Sequence, residues 1–103
     1  MDKINPLTQV AALAAMRDCD EHLIHLHKYQ NELCESVVQF FKEHIPAVDV
    51  HVPQGTCLMW LDFSALFATA AEAEAFCVDA GTHLYSGAAF GAKGVFLRLN
   101  AGS

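Results

Sequence analysis

Residues 94–100 read GVFLRLN, the most strand-like stretch of the chain and the one on which its architecture turns. Phe96, Leu97 and Leu99 suit a pleated, buried strand, and among them stands Arg98, a permanently charged fork. A cation in such a strand needs a reason, because an unpaired buried charge is costly. Upstream, TCLMWLDF (56–63) predicts a second, mostly buried strand, since Leu58, Met59, Trp60 and Leu61 leave no polar face. VDVHV (48–52) alternates apolar and polar residues, as a half-exposed strand does. Pro53, Gln54 and Gly55 turn the chain between these two.

Helical patterns surround the strands. NPLTQVAALAAMR (5–17) puts Pro6 near a helix start, followed by an Ala-rich, helix-favouring run. Asp18 and Asp20 are the expected caps between this helix and the next. From Asp20 to His44, the residues Leu23, Leu26, Leu33, Val37, Phe40 and Phe41 recur at three- and four-residue steps. That is an amphipathic helix with a broad buried stripe, roughly 37 Å long at 1.5 Å per residue, and Pro46 ends it. AAEAEAFCVDAG (70–81) is a shorter helix stopped by Gly81. A brief HLY strand and the small-residue loop SGAAFGAKG (86–94) lead into the last strand. The order predicts an α+β sandwich: a small, largely antiparallel sheet with helices on one face. Its 103 residues fit a single domain, 1–103, in which 1–19 is a leading helix and 20–103 the core.

A chain of this size buries roughly 65% of its unfolded surface, enough for one core with little margin. The hydrophobic content is 53%, above the usual ~45–50%, which suggests apolar surface in need of a partner. The formal charge of −6, with Arg17, Arg98 and four lysines, gives no basic stripe for nucleic acid. No window approaches the ~18 unbroken apolar residues of a membrane helix, and MDKINPLTQV lacks the regions of a signal peptide. A cytoplasmic location is therefore expected. Cys19, Cys34, Cys57 and Cys77 are widely scattered and read as free thiols.

Other constellations are weak. In HLIHLH, His22 and His25 share a helix face while His27 lies about 200° round from His25, so the three cannot converge on one metal. His44, His51 and His83 are scattered. Glu72 and Glu74 fall on different sides of their helix and Asp62 stands alone after a strand, so no catalytic carboxylate pair is legible. Ser64, Ser86 and Ser103 lack a nucleophile-elbow context. The glycines of SGAAFGAKG match no phosphate-binding fingerprint.

Two stretches taken together carry a resemblance. PQGTCLMWLDFSAL (53–66) and SGAAFGAKGVFLRLN (86–100) resemble the C-terminal small domain of fold-type I pyridoxal-phosphate (PLP) enzymes. The branch they resemble is the MalY/PatB type of cystathionine β-lyase, grouped with class I and II aminotransferases. The matching residues are Pro53, Gly55 and Thr56, Trp60 to Phe63, Gly87, Phe90, Gly91, and Arg98 to Asn100. The upstream NPL and the long helix are also similar to the segment that links large and small domains there. The resemblance implies that Arg98 grips the α-carboxylate of an amino-acid substrate through two charge-assisted hydrogen bonds. Phe90 and Gly91 match the loop in a structural role.

The same resemblance implies what this chain does not supply. In the family the Schiff-base lysine, the phosphate cup and the other cofactor contacts belong to a large domain preceding this region. Lys3, Lys28, Lys42 and Lys93 occupy terminal, helical or loop contexts. The family also continues past R-L-N into a closing helix, where this sequence has AGS. The expectation is a fragment that lends the substrate-binding Arg98 to a PLP-dependent aminotransferase or C–S lyase, with no catalytic residue, cofactor or metal of its own. The alternative is a stand-alone binding or assembly module that reuses the fold. Either way, exposed apolar helix faces predict self-association, most simply as a homodimer built on the first two helices.

Overall fold

A computed structural model of the chain describes residues 3–102. Met1, Asp2 and Ser103, which close the expected domain at its two ends, lie outside the described residues. The elements are α1 (Pro6–Asp18), α2 (Asp20–His44), β1 (Asp49–Val50), β2 (Leu58–Asp62), α3 (Ala70–Asp79), β3 (Tyr85–Ser86), a 3₁₀ turn (Gly87–Phe90) and β4 (Phe96–Asn100). The strands form one sheet in the order β1-β2-β4-β3, and every pairing is antiparallel. The central pair runs in register from Leu58 opposite Asn100 to Asp62 opposite Phe96. This is the expected α+β architecture, with α2 and α3 packed on one face.

The core follows from the pleat. Met59 and Leu61 of β2 and Leu97 of β4 are fully buried and point to the same side. There they meet Cys34 and Val38 of α2, Ala73 and Cys77 of α3, and the flanking Val48, Val50, Phe63, Leu84 and Val95. Full burial of each large side chain contributes about 1.5–3 kcal/mol. The expectation that β2 is buried on both sides needs correction. Leu58 and Trp60 are 38% and 39% exposed, while Met59 and Leu61 between them are at 0%. Helices cover one face only, and successive side chains of a strand point to opposite faces.

The helices follow their end signals, with two further corrections. Asn5 caps α1, its side-chain oxygen accepting from the Leu7 N–H at 2.8 Å, and Pro6 follows in the first turn. Thr69 caps α3, and Gly81, at φ +84°, takes the left-handed position that stops it. Between α1 and α2, however, neither aspartate caps. Asp18 accepts two 2.8 Å hydrogen bonds from the Arg17 guanidinium, and Asp20 is already helical, so the cap position falls to Cys19 without a side-chain bond. The stripe of α2 is also shorter than its periodicity suggests. Val37 and Phe41 pack on the core, whereas Leu23 and Phe40 are exposed, because the sheet reaches only the second half of the helix.

Beyond the sheet, α1 has no buried residue. Leu7, Val10, Leu13 and Met16 are 61–81% exposed. The molecule measures 49 × 35 × 23 Å with a radius of gyration of 17.4 Å, against about 13 Å for a compact 100-residue domain. The excess is the helical arm ahead of the core.

Candidate functional site: an arginine on the open face of the sheet

The same pleat that buries Leu97 turns Arg98 outward. On β4, Arg98 lies opposite Trp60 of β2 and opposite Tyr85 of β3, so the three share the face that α2 and α3 leave uncovered. The Arg98 guanidinium carbon sits 4.4 Å from the centre of the Phe90 ring and 5.1 Å from that of Tyr85. Around them, Trp60 stacks on Phe96 at 5.6 Å and meets Phe90 edge-on at 6.3 Å. His83 abuts the far partner, Tyr85, at 5.5 Å. The open face is thus an aromatic floor with one cation set into it.

Local chain geometry delivers Phe90 to that position. Ser86 caps the 3₁₀ turn through its hydroxyl, which accepts from the Ala88 N–H at 3.3 Å. Gly87 lies flush on β4: a Cβ there would stand 2.8 Å from the Phe96 Cβ and 2.9 Å from the Phe96 carbonyl oxygen. Gly91, at φ +83°, closes the turn in the left-handed conformation that glycine adopts without strain. Two of the three glycines of SGAAFGAKG therefore set the height and the end of the turn.

The electrostatics are unusual for an arginine in a sheet. Among the described residues no carboxylate forms an ion pair with Arg98. Its Nε–H is enclosed and finds no hydrogen-bond partner. Asp62, on the same strand pairing as Phe96, is engaged instead by the backbone N–H and the hydroxyl of Ser64. Aromatic faces attract a cation through their quadrupole but accept no strong N–H hydrogen bond. A guanidinium presents its donors as a planar fork, a geometry that a carboxylate matches.

The other residues singled out from the sequence do not join this site. Lys28 and Lys42 lie on α2, which packs on the opposite face, and Lys3 and Lys93 are exposed. None offers the enclosed amine that a PLP Schiff base requires, so the described residues do not compose a PLP site. His22, His25 and His27 are exposed along α2, and among the described residues no group of three metal-ligating side chains assembles. Among the described residues, no helix is long and apolar enough to cross a membrane. Sequence reading missed Tyr85 and treated Phe90 as structural. The available signal was two aromatics a short loop ahead of the arginine strand, close enough to fold back on it.

Comparison with known proteins bears on the fold. A PLP-bound chain from Clostridium difficile 630, assigned as an aminotransferase, matches with a TM-score of 0.90 and 28% identity over 99% of this chain. The PLP-bound C–S lyase from Staphylococcus hominis matches with a TM-score of 0.80 and 21% identity over 97% of this chain, as does the same lyase complexed with L-cycloserine. This chain spans 27% of the length of each of those proteins. No protein-family model matches the sequence, and no curated protein matches it.

Proposed function

We propose that this chain is the small-domain portion of a PLP-dependent aminotransferase or C–S lyase of the MalY/PatB type, in which Arg98 holds the α-carboxylate of the amino-acid substrate. One observation carries the reading: the Arg98 guanidinium stands on the open face of the sheet, bounded by Phe90 and Tyr85, with no carboxylate of its own chain among the described residues. Such a fork fixes both the position and the plane of a carboxylate, which orients the rest of a small substrate. PLP and its lysine belong, in this reading, to a large domain that would face Arg98. The likeness to PLP-bound chains over nearly the full sequence supports the assignment.

The test is a titration of the chain with L-alanine, followed by NMR on the Arg98 side chain. One charge-assisted pair contributes about 1.5–3 kcal/mol, so binding to the chain alone is weak, roughly ten to a hundred millimolar. Arg98→Ala abolishes it, and Arg98→Lys, which keeps charge but loses the fork, weakens it several-fold. Undiminished binding in Arg98→Ala would refute the assignment. Saturable PLP binding by the chain alone would refute the division of labour with a large domain.

A second reading is favoured by the arm. Leu7, Val10, Leu13 and Met16 expose most of their surface. Together they offer on the order of 400 Å² of apolar area, about half of the roughly 800 Å² per partner in a standard interface. With Ile24 of α2, also 68% exposed, this surface is assigned to a second copy of the chain, which would make the isolated chain a self-associating module.

A further inference from the structure

We infer that Phe90 and Tyr85 are positioning residues that fix the orientation of the Arg98 guanidinium before any carboxylate arrives. The inference rests on the carboxylate reading of Arg98 and deepens it, since it says why the arginine is held by rings and not by an acid. An aspartate or glutamate at either position would form the bidentate pair itself and compete with the ligand. A ring face attracts the cation yet consumes none of its N–H donors, so it restrains the plane of the group and leaves its hydrogen-bonding edge free.

Three features of the chain converge on this arrangement. Antiparallel register places Tyr85 directly across from Arg98 on the edge strand. Close packing of Gly87 on Phe96 and the left-handed turn at Gly91 bring Phe90 back over the same strand, 4.4 Å from the guanidinium carbon. The Arg98 Nε is enclosed yet unpartnered, so that end of the guanidinium is held in place without a hydrogen bond. Both rings are more than half exposed, Phe90 at 52% and Tyr85 at 55%. Neither belongs to the core, so burial does not account for their placement. A long cationic side chain ordered in advance loses less freedom on binding, and affinity rises accordingly.

The experiment uses the full chain, isotope-labelled, first without ligand. Ring currents from Phe90 and Tyr85 shift the Arg98 δ protons and Hε upfield. In Phe90→Leu those resonances return toward ordinary arginine values, and in Phe90→Tyr they stay. L-alanine affinity then falls about fivefold in Phe90→Leu and is restored in Phe90→Tyr. Amide spectra of the core, Leu97 and Met59 included, remain unchanged and show that the fold is intact. Arg98 resonances insensitive to both Phe90→Leu and Tyr85→Leu would overturn the inference. So would shifted resonances with unaltered affinity. Failure of the carboxylate reading looks different: L-alanine binding, if it occurs at all, survives in Arg98→Ala, while the ligand-free Arg98 resonances still decide whether the rings hold it.

Discussion

Leu97 and Arg98 are adjacent in the chain, yet one is fully buried in the core and the other lies on the opposite face of the same strand. The consequences of mutation should divide accordingly. Leu97→Ala is expected to lower unfolding free energy by about 2–5 kcal/mol in a denaturant titration, as cavity-forming changes do. Gly87→Ala brings a methyl within 2.8 Å of Phe96 and should cost about 1–3 kcal/mol through overpacking. Of these residues, Arg98 was legible from its oddity in an apolar strand and from the block around it. Tyr85 was not, because its role depends on strand register, and register between segments joined by a loop is a tertiary property. The thiols supply a pH prediction. Burial pushes the Cys34 and Cys77 thiols upward from 9.0. Their folded-state proton affinity exceeds that of the unfolded chain, so their contribution is complete below about pH 9 and is lost as pH rises through the raised folded values. A stability decline setting in above pH 9, reduced in a Cys34→Ala, Cys77→Ala variant relative to its own neutral-pH value, would bear this out.

At the scale of elements, the long helix was the most legible feature, since its period and the Pro46 stop specify Asp20–His44 and the structure has those limits. Its burial was not legible. A stripe of leucines and phenylalanines announces an apolar face but not how far the neighbouring sheet extends, and here the first buried position is Cys34. The edge strands shrank for a related reason: VDVHV keeps only Asp49 and Val50 in the ladder, and HLY gives way to Tyr85 and Ser86. Another signal went unread. Thr69 and Glu72 carry the T-x-x-E signature of a capping box, with the Thr69 hydroxyl accepting from the Glu72 N–H and the Glu72 carboxylate reaching one residue past the cap to accept from the Ala68 N–H, each at 3.3 Å. Thr69→Ala should cost ~1 kcal/mol and lower the thermal midpoint measurably. Asn5→Ala removes a cap of the same kind from α1. Because α1 packs on nothing, that change should reduce its helicity by circular dichroism without moving the global midpoint. Amide exchange should rank the helices in the same order, with α1 fast and the second half of α2 slow.

For the whole molecule, the sheet carries two separate commissions: one face holds the core, and the other presents Arg98 on its aromatic floor. Exposed apolar side chains line the arm (Leu7, Val10, Leu13 and Met16) and recur on α2 and on the open face of the sheet. Light scattering on the purified chain should therefore give the mass of a dimer at micromolar concentration. Replacing Leu7, Val10 and Met16 with glutamate should return it to a monomer without loss of core stability. A monomer in both cases would remove self-association from consideration and leave the arm to a different partner.

The register of β2 against β4 also sets a timetable. The best-packed strands are neighbours in space, yet the pairing of Leu58 with Asn100 joins residues far apart in sequence, with α3 and β3 between them. Closing so long a loop must precede the burial that rewards it. Helix α2, whose backbone hydrogen bonds are local, can form and melt in about a microsecond, whereas the sheet must wait for the rarer encounter of its two middle strands. The rate at which this chain reaches its native state should accordingly respond to substitutions at Met59 and Leu97 and be nearly indifferent to changes in α1.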